Sequence, residues 1–427
     1  MQLRKLLLLI CLLFHNNLYA ELTIRITQGV GKQTPVAIVP FGLGDDMSEL
    51  GVDIADIISN DLKRSGRFSL TPIENMLQKP TTGAGIDFDD WSILGIEAVV
   101  VGRIIKMKEG SFNIQFQLFD IFKGEQIVGY RMPANEKTLR RSAHRIADMI
   151  YKELTGIRGV FDTKVAYVKT NVSRNETKYS LIVADSDGEN EQIVVTSNDP
   201  IMSPAWSPDS RQIAYVSFEN HRPEIFIQTL ATGERVKLVN GNVSSSAPAW
   251  SPNEKFMAYT SSVNGNLEIF VHNFLTKNNI RVTNSLGIDT EAEWGLKSKK
   301  IFFTSDRNGN PHIYSKLFKK GKAKRITFDG TYNADANLSS DGKYLSLVHN
   351  NGNGHKIAIY SIKDKFLKVI SKGRLDEAPS FSPNGKMVLF ASKKLHKGIL
   401  VATSNDGRIR KEIELTGEDV REPIWSH

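Results

Sequence analysis

The chain has 427 residues, of which 40% are hydrophobic and 24% charged, with a net charge of +8. This balance excludes large-scale disorder and leaves room for two domains. The excess of cations does not point to nucleic acid, because they sit at turns with acidic residues interleaved and no basic stripe alternates with aromatics; it reads as a solvated surface.

The first twenty residues read as a secretory signal. Arg4 and Lys5 precede the apolar run Leu6–Phe14, and Leu18-Tyr19-Ala20 offers cleavage after Ala20. The run is too short to cross a bilayer, and no later segment is apolar for long enough. The one cysteine, Cys11, lies inside this run, so the mature chain needs neither disulfides nor thiol chemistry. An exported, soluble chain without a membrane span is expected.

Residues 21–32 begin as an alternating strand. Leu22, Ile24 and Ile26 share one side, Thr23, Arg25 and Thr27 the other, and Gly29-Val30-Gly31 loosens the link to the next strand. That next strand, Pro35–Pro40, reads as buried. Val52–Ser65 has helical spacing through Ile54, Ile58 and Leu62 and stops at Gly66. Ala98–Val101 and Phe112–Phe122 read as strands, and Leu139–Leu154 as a helix that turns Ala143, Ile146, Ala147 and Ile150 inward. Together these predict a separate α/β domain over residues 33–156.

From about residue 160 the chain repeats itself. Ser-Pro-Ala-Trp-Ser-Pro-Asp ends at Asp209 and Ala-Pro-Ala-Trp-Ser-Pro-Asn at Asn253; the marker residues Trp206, Trp250, Trp294, Leu338, Phe381 and Trp425 are spaced by 44, 44, 44, 43 and 44. A period in the low forties, built of short strands and polar turns, is that of a four-stranded propeller blade. The unit after Trp206 shows the pattern: Gln212–Val216, Glu224–Gln228 and Arg235–Val239 are strands separated by turns. Trp294-Gly295-Leu296 and Leu338-Ser339-Ser340 are worn copies of the turn. The unit starting at Lys164 lacks its innermost strand, and Glu422-Pro423-Ile424-Trp425 is an innermost strand with no blade after it. Joined, they close a six-bladed all-β propeller over residues 161–427, leaving no open sheet edge between first and last blade.

The rival reading is an enzyme. No Gly-x-Ser-x-Gly string is present, and the first third is too short for a hydrolase domain. The histidines His144, His221, His272, His312, His349, His355, His396 and His427 are scattered, mostly in inter-strand loops, without metal-ligand pairing at helical or strand spacing. Asp306–Asn310 and Asn350–Gly354 read as turns, and Gly83-Ala84-Gly85 lacks a phosphate-cradling helix start. No residue is a candidate for catalysis. A sensor or carbohydrate-binding propeller remains the alternative, although Trp206, Trp250 and Trp294 sit where core residues belong.

Several strings resemble the TolB family, periplasmic components of the Tol–Pal system. They are Asp61–Phe68, Leu94–Gly102, Leu154–Phe161, Met202–Pro208 and Leu375-Asp376-Glu377, met in the family's order: signal, small α/β domain, six-bladed propeller. The resemblance implies a non-enzymatic scaffold that contacts the lipoprotein Pal and the protein TolA, maintaining outer-membrane integrity and constriction at division. It places TolA binding on Glu21, Leu22, Thr23, Ile24, Arg25, Ile26, Thr27, Gln28, Gly29, Val30, Gly31 and Lys32, where an alternating strand on a glycine tether can add to a partner's sheet edge. It places Pal at the propeller mouth, with Ser244, Ala247 and Thr290 at matching positions; well-known members carry a His where this chain has Ser244. The residues entering the innermost strands, Met202, Ser246, Glu291, Asp335, Glu377 and Glu422, are expected to ring the channel opening, and four of the six are acidic. Such a ring attracts cationic partner groups, or holds a divalent cation through oxygen ligands. Other envelope proteins or toxins using the same mouth, no cofactor, no nucleic acid and a monomeric state complete the expectations.

Overall fold

The computed structural model describes residues 33–44, 50–174, 176–240, 243–413, 415 and 419–427. The predicted signal and the TolA-binding segment Glu21–Lys32 lie outside the described residues.

The α/β domain is built on one mixed sheet. Its strands are β1 (Thr34–Ile38), β2 (Gly42–Leu43), β3 (Phe68–Leu70), β4 (Ala98–Lys106), β5 (Ser111–Asp120) and β6 (Glu125–Asn135), in the order β3-β1-β4-β5-β6 with β2 beside β4. Three helices complete it: α1 (Ile54–Arg64), α2 (Phe88–Ile93) and α3 (Leu139–Thr155). Alternation along the strands splits the apolar side chains between two faces. Val36, Ile38, Val100 and Phe116 pack under α1 and α3, while Ala37, Val39, Val99 and Val101 pack under Trp91 of α2 and the loops beside it. Asp53 caps α1 by accepting the Asp56 N–H at 3.1 Å. Asn135 and Thr138 form a reciprocal capping box ahead of α3, and Gly156, at φ 70°, ends it. The strand β6 has no sequence signature of its own. It is an edge strand, half solvated, and holds Pro133 where a central strand would exclude it.

The propeller has six four-stranded sheets, as the period requires. The innermost strands are Asp419–Trp425, Ile201–Trp206, Ser245–Trp250, Asp289–Trp294, Tyr332–Leu338 and Glu377–Phe381, for blades I to VI in turn. Each ends on its marker residue. Closure is as expected: Asp419–Trp425 pairs antiparallel with Lys164–Val172, so the last strand completes the first blade. Aromatic and aliphatic side chains fill the spaces between blades, with Tyr167, Trp206, Tyr215, Phe303 and Phe390 buried. Each such side chain contributes about 2–3 kcal/mol of apolar burial. Neighbouring blades are also stitched near the channel. Glu293 accepts the Leu338 N–H at 3.0 Å, Asn337 accepts the Phe381 N–H at 2.8 Å, and Ser380 accepts the Trp425 N–H at 3.0 Å. At two of the three positions where that residue is apolar, an indole does the same work: Trp206 donates to the Ile424 carbonyl and Trp294 to the Ala249 carbonyl.

The α/β domain rests on the turns of blades I and VI. Gly66, at φ 68°, passes so close to Ile409 that a Cβ there would lie 2.5 Å from its Cδ1. Arg64 donates to Ser186 at 2.8 Å, and Asn384 donates to the Arg158 carbonyl at 2.8 Å. A cavity of about 340 Å³ lies between the domains, lined by Arg64, Tyr151, Phe161, Asp187, Lys386 and Trp425.

The histidines correct one expectation. His272, His312 and His349 lie on strands rather than in loops, and are buried. Asn333 links two of them across blades IV and V, 3.0 Å from His312 Nδ1 and 2.9 Å from His349 Nδ1. His144 is on α3 with 2% exposure. Its Nδ1 lies 2.6 Å from Asp61, and its Nε2 faces Asp185 and Asp187 at 3.9 and 3.8 Å. Asp61, His144 and Asp187 bring ligand-type atoms within 4.8 Å of one another. However, Arg140 donates to both Asp185 Oδ2 and Asp187 Oδ2, so a guanidinium holds the oxygens beside Nε2. The cluster is an ion network that ties the domains together.

Candidate functional site: the propeller mouth

Each innermost strand starts at the loop from the preceding blade and ends at a tight turn. Blade I and VI turns at the finishing end carry the α/β domain, so the starting ends open on the opposite face. This face is the mouth.

All six strands break register near their start. The ladder shifts between Met202 and Ala205, Ser246 and Ala249, Thr290 and Glu293, Ala334 and Asn337, Glu377 and Ser380, and Arg421 and Ile424. A left-handed residue sits in every bulge: Ser203, Ala247, Glu291, Asp335, Ala378 and Glu422, at φ between 47° and 53°. None is glycine, so the strain costs about 1 kcal/mol or more at each, and it recurs six times around one channel. Strain repeated in register marks a site that the surrounding blades hold in place.

These bulges correct the expected ring. Glu291, Asp335 and Glu422 share the bulge level with Ser203, Ala247 and Ala378. Met202, Ser246 and Glu377 stand one residue earlier, beside Thr290, Ala334 and Arg421. The acidic residues therefore occupy two levels, three in the bulges and Glu377 exposed in front of them. Ser244 lies before its strand, its carbonyl accepting from Ser261 Oγ at 2.8 Å, and Thr290 Oγ1 is 3.2 Å from Thr260 Oγ1.

The bulge carboxylates are satisfied by neutral donors. Glu291 Oε2 accepts from Thr304 Oγ1 at 2.7 Å and from the Asp335 N–H at 2.8 Å, and Glu422 accepts the Ser203 N–H of the next blade. Burial and the surrounding Glu291, Glu422 and Glu377 hold Asp335 well above the usual carboxylate range. Burial, with Glu377 and Glu291 nearby, pushes Glu422 up to about 7; loss of water around its carboxylate raises Glu377 as well, although its side chain reaches solvent at the opening. Arg421 and Lys393 oppose the rise at Glu377, and Arg421 donates from both Nε and Nη2 to the single oxygen Oδ2 of Asp419. Around the well, apolar side chains are exposed: Met202 at the start of its innermost strand, and Val243, Leu286, Ile288, Phe328 and Leu375 on the connecting loops. An apolar rim around a buried charge of one sign has the anatomy of a protein-binding surface. That rim was not legible from repeat counting, because loop residues fall outside the strand pattern.

Two family models match the chain: the TolB amino-terminal domain over residues 22–127 and the TolB beta propeller domain over residues 151–427. The chain is 49% identical over 406 residues to the Tol-Pal system protein TolB of Xanthomonas oryzae pv. oryzae, covering 95% of this chain and 92% of that one. The protein of the same name from Xanthomonas campestris pv. campestris matches with the same identity and coverage. The crystal structure of TolB from Acinetobacter baumannii superposes with a TM-score of 0.85 at 40% identity, over 92% of this chain and 97% of that one. With both domains, the mouth and the closing strand matched along its length, the chain belongs to the TolB family of the Tol–Pal system.

Proposed function

We propose that this protein is a non-enzymatic periplasmic scaffold that holds Pal at the propeller mouth and TolA through Glu21–Lys32, serving outer-membrane integrity and constriction at division. The observation that carries the first contact is the mouth itself: carboxylates raised by burial and mutual repulsion, inside a rim of exposed apolar side chains. A partner that brings a Lys or Arg into the well relieves that repulsion while its apolar groups cover Phe328, Leu286 and Leu375. For the second contact, the described chain begins at Gln33, whose Nε2 donates to the Gly66 carbonyl at 3.1 Å, next to Arg64 and Ser65 of the interdomain cavity. The segment Glu21–Lys32 ends in sequence at this point, and a partner at the mouth favours its addition to another protein's sheet edge only by preferring that state.

Calorimetric titration of residues 21–427 with the soluble domain of the same bacterium's Pal tests the reading. Tight binding is expected, weakened about tenfold or more by Glu377→Ala with Asp335→Ala. Absence of binding by the intact, folded protein would overturn the Pal assignment and favour a sensor or sugar-binding propeller.

A further inference from the structure

Blade IV departs from the even distribution of charge. Between Lys297 and Arg325 the sequence has ten cations against one carboxylate, a net +9 in a chain whose total is +8. The remainder of the molecule is therefore close to neutral, and the excess lies in the part of this blade that follows its acidic innermost strand, which holds Asp289, Glu291 and Glu293. The fold gathers these residues at one end of the blade, from its inner turn out to its outer edge, and the Phe318 N–H donates to the Lys299 carbonyl between the two turns at 2.8 Å. Lys297, Lys299 and Lys300 sit at the first turn, and Lys319, Lys320, Lys322 and Lys324 on the outermost hairpin, all seven exposed. Among the described residues, none has a carboxylate oxygen within 4.0 Å, whereas Arg307 is paired with Asp289. The nearest acidic turn residue of blade V, Asp341, is 3.5 Å from its own Lys343.

The lateral register places an apolar group inside this field. Lys300 stands opposite Leu317, and Leu317 opposite Lys320, so a leucine that is 43% exposed is flanked by lysines on both neighbouring strands. The turns involved are at the end of the propeller away from the mouth, where the contacts of the α/β domain given above fall on blades I and VI.

We propose that the outer edge of blade IV is a docking surface for a bilayer rich in anionic phospholipid. Three features favour a lipid surface over a discrete phosphate or an acidic protein. The lysines spread over two turns and a strand without converging on a cavity, which suits many headgroups rather than one. They are lysines rather than arginines, so the attraction is between point charges and a diffuse anionic sheet and not a bidentate clamp. Leu317 lies among them at the depth where an interfacial apolar group gains by leaving water. Bound this way, the protein keeps its mouth turned away from the bilayer and free for its partner.

Co-sedimentation of residues 21–427 with vesicles of phosphatidylglycerol and phosphatidylethanolamine, against vesicles of phosphatidylcholine, tests this. Binding to the anionic vesicles alone is expected, falling as salt rises. It should weaken about tenfold or more in Lys319→Gln, Lys320→Gln, Lys322→Gln, Lys324→Gln combined. A control variant removes the same charge elsewhere, at the exposed Lys63, Lys152, Lys255 and Lys277, and should bind like the parent. The proposal is overturned by absence of vesicle binding at low salt, or by equal losses in the two variants, which would assign binding to net charge alone. Retention on purified peptidoglycan sacculi without vesicle binding overturns it too, in favour of a polymer. All eight substitutions are at exposed positions, and an unchanged melting temperature verifies the fold.

Discussion

The domain junction and the propeller mouth both gather carboxylates out of water, and they treat them in opposite ways. At the junction, Asp61 has Arg64 at 2.9 Å and His144 at 2.6 Å, and Asp185 has Arg140 at 3.0 Å and Lys164 at 2.5 Å. At the mouth, among the described residues, Glu291 and Glu422 accept from a hydroxyl and backbone N–H groups, and Asp335 stands among further carboxylates. A buried charge with its partner in the same chain holds structure together. A buried charge without one costs stability, and is retained where an outside partner completes it.

The largest expected effect breaks the paired side. Arg140→Ala leaves Asp185 and Asp187 facing His144 with only Lys164 to balance them, and breaking such a pair costs about 3 kcal/mol. Urea unfolding should show the loss, with the α/β domain loosening from blades I and VI before the propeller melts. Arg140→Met, which keeps the stem, should not recover the loss, since the missing element is the charge.

The mouth should respond with the opposite sign. Glu422→Gln removes a charge that burial disfavours, so it should raise the melting temperature by a few degrees at pH 8. The sign comes from proton binding. With its folded pKa raised to about 7, Glu422 binds more protons in the folded than in the unfolded state between pH 7 and the ordinary carboxylate range. Its penalty is therefore full above pH 7 and fades as pH falls through that window, and the gain from Gln should vanish by about pH 5. The same variant should bind the mouth's cationic partner less tightly. A variant that is more stable and also binds as well as the parent would refute the division of roles.

How far these two regions could be read in advance differs for physical reasons. The repeat was legible because every blade solves the same packing problem at the same marker position, and ring closure came from Lys164–Val195 and Glu422–Trp425 each lacking what the other had. Helices α1 and α3 were legible from apolar spacing and a terminal glycine. The mouth was legible in sign but not in level: Met202, Ser246 and Glu377 lie four residues before their marker residues and Glu291, Asp335 and Glu422 three, and nothing in the alternation tells which of these two levels carries the left-handed bulge residue. The junction left no local trace, since Asp61, His144 and Asp185 come from three distant stretches. Blade IV's excess charge was visible in the sequence but hidden by averaging over the chain.

The smallest effect sharpens the comparison within the mouth. Thr304 Oγ1 donates to Glu291 Oε2 at 2.7 Å and accepts the Asp335 N–H at 3.1 Å, so its hydroxyl joins two neighbouring bulges. Thr304→Val keeps the shape and removes the hydroxyl. Glu291 Oε2 then retains the Asp335 N–H at 2.8 Å, so the loss is one neutral hydrogen bond, about 1 kcal/mol. If the mouth is arranged for a partner rather than for stability, this modest loss should be accompanied by weaker Pal binding, because Glu291 is then held by one donor instead of two. Unchanged affinity, measured by the same calorimetric titration, would mean that the backbone bulges alone position the carboxylates.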